Sequence, residues 1–160
     1  MSPIQFAAAA IISYLGLLAG FFLGSATTEE LTTATKYFPM LQRAIILAIA
    51  VVIANYFGLA LALMLLICAV VIVLTLLGMN TRLFYAVFGL ALLAVAQSVN
   101  FLLITAALIF IFGIVSGSEY FATTMKRKSQ IMVAAGKLLL QNLAYPAIAV
   151  IFFLLPFHFG

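Results

Sequence analysis

Charge is what this sequence has least of. Its 160 residues include only ten charged side chains, seven Lys or Arg and three Glu, and no Asp. A water-soluble domain draws about a quarter of its residues from the charged set, so a folded surface of this composition is not built for water. The single Cys, Cys68, excludes an internal disulfide and a thiolate metal site. The single His, His158, lies two residues from the last residue. Together with the absence of Asp, this excludes Ser-His-Asp triads, two-aspartate proteases, His-ligated haem and HExxH zinc centres. No nucleophile and base can be paired from this inventory, so neither enzymatic activity, a metal nor a cofactor is expected. Seven cations beside 68% hydrophobic residues do not make a phosphate-tracking patch, and nucleic acid is not an expected partner.

What the sequence has instead is length without charge. Uncharged stretches run from Met1 to Thr28, from Ala44 to Thr81 and from Leu83 to Ser118. Each exceeds the roughly 20 residues that cross a bilayer as a helix. The expected class is an all-α integral membrane helical bundle, a single transmembrane domain over residues 1–160 with short loops. The first segment, about Ile4 to Gly24, lacks the basic region of a cleavable signal and is expected to be retained. The second stretch as one helix would be about 57 Å long, nearly twice a core of about 30 Å, so it must fold back. Asn55-Tyr56-Phe57-Gly58 offers the turn. The third stretch has the same problem, and Gln97-Ser98-Val99-Asn100 offers its turn. A last span from about Ile131 to Phe153 makes about six, with five or four as the alternatives.

With six spans, Lys36, Arg43, Arg82, Lys126, Arg127 and Lys128 all fall in the odd-numbered loops, and the other side holds no Lys or Arg. The positive-inside rule then places those loops in the cytoplasm and both termini outside a cell membrane. Only the first loop, about Ser25 to Met40, and the fifth, about Gly117 to Gln130, are long.

Several features are candidates for function. Gly16, Gly20 and Gly24 recur every four residues, a glycine zipper that permits close backbone approach, and Gly113 and Gly117 repeat the spacing in the fifth helix. Pairing of the two helices follows, either inside one chain or as a homo-oligomer seam. Thr27-Thr28-Glu29-Glu30 and Ser116-Gly117-Ser118-Glu119 both match the S/T-x-x-E capping box. Glu30 and Glu119 are therefore helix caps or an acidic cytoplasmic vestibule. In the last helix Lys137, Gln141 and Tyr145 recur every four residues, with Asn142 beside them. Pro146 has no amide proton for the Asn142 carbonyl. This polar face is either a packing device or a permeation and binding site near the bilayer midplane. Lys137 either snorkels to the interface or faces a cavity, where it would favour an anion or pair with Glu30 or Glu119. Tyr37, Tyr56, Tyr85 and Tyr120 read as interfacial anchors, whereas Tyr14 and Tyr145 lie deeper and need hydrogen-bond partners.

Ser13-Tyr14-Leu15-Gly16, Glu29-Glu30-Leu31 and Lys36-Tyr37-Phe38 resemble the N-terminal pattern of small uncharacterised archaeal multi-pass membrane proteins. Thr28 and Thr35 stand where that pattern has Pro and Gly. The resemblance covers about a quarter of the chain and implies an archaeal cell membrane without implying an activity. The function expected from these features is a small oligomeric channel or facilitator for an ion or small solute. The alternative is a non-catalytic subunit or assembly factor. The expected partners are the lipid bilayer and either further copies or other membrane subunits.

Overall fold

The computed structural model describes residues 3–27, 31, 33–76, 81–124 and 131–154. Among these, every regular element is helical. The order is α1 (Pro3–Ala26), a 3-10 turn (Thr35–Tyr37), α2 (Phe38–Tyr56), α3 (Leu61–Leu76), α4 (Thr81–Ala94), α5 (Val99–Thr124), α6 (Ile131–Gln141) and α7 (Ala144–Leu154). Among the described residues, three helical stretches are long and apolar enough to cross a membrane: Ile4–Ala26, Thr35–Tyr56 and Val99–Thr124. The apolar helices Leu61–Val73, Leu83–Ala94 and Ile131–Gln141 are shorter.

Local chemistry sets the boundaries. Pro39 stands in the first turn of α2, where the missing N–H costs nothing. Gly58 has φ +61° in the turn after α2, a left-handed conformation that only Gly adopts freely. The second expected turn is also present, since α4 ends at Ala94 and α5 begins at Val99.

The fifth helix departs from expectation. Residues 117–124, placed in a loop from sequence, continue α5 to Thr124. Gly117 does not break the helix, because its bare backbone packs against Phe21, whose nitrogen would lie 2.7 Å from an added Cβ. Ser118 finds its partner without leaving the helix, donating to the Gly20 carbonyl at 2.8 Å.

The core is built on α1 and α5, which make the most extensive contact in the molecule. Gly16 faces Phe110, Gly20 faces Ile114 and Gly24 faces Ser118 and Phe121, so the two helices run parallel. A Cβ on Gly20 would stand 2.5 Å from the Ile114 Cα, and one on Gly113 would stand 2.8 Å from the Leu17 nitrogen. Backbone therefore touches backbone, and the pairing lies inside the chain. Around this pair Leu17, Phe21, Leu102, Ile109 and Phe112 are buried. Helix α2 lies against α5, α7 against α4 and α1, and α3 packs chiefly on α2. Leu61, Leu65, Leu66 and Val73 leave the outer face of α3 exposed and apolar.

Candidate functional site

The last helix is broken at Asn142–Leu143, between α6 and α7. Pro146 cannot supply the amide that the Asn142 carbonyl would ordinarily accept. That carbonyl accepts from the Tyr145 N–H instead, at 3.2 Å, and the turn tightens from four residues to three. The Asn142 N–H likewise moves to Leu139 O at 3.0 Å, which would leave Leu138 O without its usual donor. The Asn142 side chain fills the place of its own backbone, donating from Nδ2 to Leu138 O at 2.8 Å. Its Oδ1, buried, has no hydrogen-bond partner among the described residues.

Around this break the core carries hydroxyls. Tyr14 donates to the Leu139 carbonyl at 2.6 Å and stacks on Tyr145, with ring centroids 5.9 Å apart. The Ser13 and Tyr145 hydroxyl oxygens are 2.5 Å apart. Ser13 also reaches Ala9 O at 2.8 Å and Ala10 O at 3.0 Å. A serine has one proton, and those carbonyls can only accept, so Ser13 donates along its own helix and Tyr145 donates to Ser13. Tyr85 meets Tyr145 edge to face at 6.2 Å. Three tyrosines from α1, α4 and α7 thus converge in the core beside Ser13 and Asn142.

A second polar row enters from α2. Gln42 donates from Nε2 to Glu119 Oε2 at 2.6 Å and also reaches Ser116 Oγ at 3.3 Å. Ser116 is buried, while Gln42 and Glu119 are half-buried. This corrects the capping reading of Ser116 and Glu119. Both lie inside α5, where the backbone amides are taken by the helix, and the Glu119 carboxylate serves a neighbouring helix instead.

The single polar face expected of the last helix is also corrected. Lys137 and Gln141 are exposed on the outside, whereas Asn142 and Tyr145 are buried, 4% and 0% accessible, and Pro146 is half-buried. The four-residue spacing assumed an unbroken helix, and the tightened turns at Asn142 and Leu143 change the register before Tyr145. Tyr85 is corrected from an interfacial anchor to a core residue, 0% accessible. Tyr14 and Tyr145, expected to need partners, have them. Gly16, Gly20, Gly24, Gly113 and Gly117 all lie at the α1–α5 contact. Glu30 lies outside the described residues, with Thr28, Glu29, Lys126, Arg127, Lys128 and His158. Sequence reasoning missed Ser13, Gln42, Tyr85 and Ser116 as interior polar groups. The one available signal was that hydroxyls and amides inside apolar spans need partners.

The assembled groups are neutral donors and acceptors, apart from Glu119 at the rim. Among the described residues no group of three His, Cys, Asp or Glu is placed to hold a metal ion. In comparisons with known proteins, the chain matches no family model, no curated protein and no solved structure.

Proposed function

We propose that the chain is a six-span integral membrane protein that acts as a small oligomeric channel or facilitator for an ion or small solute. Its route runs between copies rather than through one. The observation that carries this reading is the exposure of Lys137 and Gln141, one helical turn apart, on an exterior of Met132, Val133, Leu140 and Leu143. Hydrocarbon offers an amide or an ammonium no hydrogen bond, so at this depth both groups need a water-lined or protein-lined neighbour. A second copy meeting this face supplies one, and the apolar side chains around it form the seal. The interior of a single copy is a poor route, because α1 and α5 touch backbone to backbone and Tyr85 and Tyr145 fill the space beside them.

Six spans are supported by the turns at 57–58 and 95–98 and by treating α6 and α7 as one interrupted crossing of about 36 Å. The shorter helices fit a locally thinned or tilted arrangement. The distribution of Lys and Arg supports cytoplasmic odd loops and extracytoplasmic termini. The N-terminal resemblance supports an archaeal cell membrane. No catalysis and no cofactor are part of the reading.

The alternative, a non-catalytic subunit or assembly factor, is favoured by the exposed apolar face of α3, which packs chiefly on α2. Liposomes containing only this protein decide between them. Solute or ion flux that is lost on Gln141→Leu, together with disulfide crosslinking of Gln141→Cys between copies, supports the facilitator. Absence of flux with stoichiometric copurification of a different membrane protein supports the subunit and sinks the facilitator.

A further inference from the structure

Helix α2 keeps one side for the bundle and the other for its surroundings. Ile45, Ile46 and Ile49 are buried and Gln42 reaches Glu119, so these positions face inward. Lys36, Tyr37, Met40, Leu41, Arg43 and Ala44 are all exposed and recur at helical spacing as one outer strip. Its two cations lie seven residues apart, about 10 Å along the axis. Helical side chains lean toward the start of their helix, so the Arg43 stem runs back over Met40 toward Lys36. The Lys36 ammonium sits over the Tyr37 ring, 4.9 Å from its centroid, a contact that supplies electron density but no oxygen acceptor.

Arg43 is the ninth residue of the apolar stretch Thr35–Tyr56, about 12 Å from its start. An exposed guanidinium at that depth needs an oxygen to bond, and hydrocarbon has none. Glu119 is the one acid among the described residues, and its carboxylate accepts from Gln42. A second copy docked symmetrically by the same strip would set Lys36 and Arg43 against their own counterparts. The occupant must therefore bring negative charge of its own, together with an apolar body to lie beside Met40, Leu41 and Ala44.

We infer that this strip is a binding site for one anionic phospholipid, its phosphate held between Arg43 and Lys36 and its acyl chains running on past Ala44, Leu47 and Ala48. Arginine suits the deeper position because its planar fork meets two phosphate oxygens at once. The lipid is anionic because a zwitterionic headgroup carries its own cation, which competes with Lys36 and Arg43 for the phosphate. The site rests on the membrane-spanning reading proposed above, but on neither transport nor sidedness.

Native mass spectrometry of the protein released from mild detergent, titrated with phosphatidylglycerol, phosphatidylcholine or inorganic phosphate, tests the site. One phosphatidylglycerol is expected to bind about 25-fold more tightly than phosphatidylcholine, at about fivefold for each cation near a headgroup, and inorganic phosphate is expected not to displace it. Lys36→Gln and Arg43→Gln are each expected to weaken that lipid about fivefold with helical circular dichroism unchanged. Replacing Lys126, Arg127 and Lys128 together by Gln is expected to leave it bound as tightly. Equal affinity for the two lipids, a preference that survives the Lys36→Gln/Arg43→Gln double variant, or displacement by inorganic phosphate overturns the site. Carbonate extraction of the reconstituted wild type separates the two levels of failure. A protein that resists extraction yet shows no lipid preference refutes the site alone, and one that is extracted refutes the membrane reading beneath it.

Discussion

Replacing Gly20 with Ala adds one methyl group where α1 has no room for it. The new Cβ would stand 2.5 Å from the Cα and carbonyl carbon of Ile114, whereas carbon pairs rest at about 3.5–4.0 Å. Both atoms belong to backbone, so no side chain can swing away, and α1 and α5 must part by about 1 Å. A gap of about 0.5–1 Å forfeits a quarter to a half of each contact's attraction. A buried side chain makes about 40–60 contacts of about 0.1–0.2 kcal/mol each. Leu17 and Phe21 of α1 and Ile109 and Phe112 of α5 are buried in the core these helices share. With half of their contacts crossing the seam and a quarter of that attraction lost, each gives up about 1 kcal/mol. The Ser118 bond to the Gly20 carbonyl adds about 1 kcal/mol. Partial relaxation returns some of this, so Gly20→Ala is expected to destabilise by about 3–4 kcal/mol, at or above the usual range for overpacking. Gly136→Ala is the matched control, since a Cβ there meets nothing within 4 Å and Ala favours a helix by about 0.5–1 kcal/mol. Equilibrium unfolding in mixed micelles of mild detergent and dodecyl sulfate, followed by helical circular dichroism, measures both. A Gly20→Ala protein within about 0.5 kcal/mol of wild type would refute the backbone contact between α1 and α5.

Two further outcomes follow from the buried hydroxyls. Ser13→Ala and Tyr145→Phe, measured singly and together in the same unfolding assay, are expected to show a coupling of about 1 kcal/mol; additive effects would mean the 2.5 Å contact contributes nothing of its own. Thr105→Val is expected to raise stability by about 1 kcal/mol, because the Thr105 hydroxyl is buried without a partner among the described residues, and a loss of stability would show that the hydroxyl is satisfied after all.

The pattern of charges and turn formers made the helix order legible in the sequence, because each is a local cause. Lys and Arg mark where the chain leaves an apolar stretch, and Asn55–Gly58 bends it whatever lies nearby. The glycine rows were legible for a related reason, since a face without side chains has few uses other than close approach. What could not be read was any property that depends on which helix lies opposite. Gly117-Ser118 looks like a loop until Leu17 and Phe21 are placed against it, and Tyr85 looks interfacial until Phe88 and Phe112 turn it inward. The candidate site in the last helix was half legible. Pro146 announced a break, but the spacing of Lys137, Gln141 and Tyr145 held only for a helix that the same proline interrupts. The partners of Asn142 and Tyr14 are carbonyls, which every residue has, so no side-chain pattern could point to them.

The parallel contact between α1 and α5 also orders events during biogenesis. Gly16 is synthesised about a hundred residues before Gly113, and at about 5–20 residues per second the first helix waits of the order of ten seconds for its partner. Through that interval its bare glycine stripe is open to whatever lies beside it, including the corresponding helix of a neighbouring nascent chain. Of the two helices the one made first is thus locked only when the second is made, and that interval is when one copy's α5 exchanges for another's.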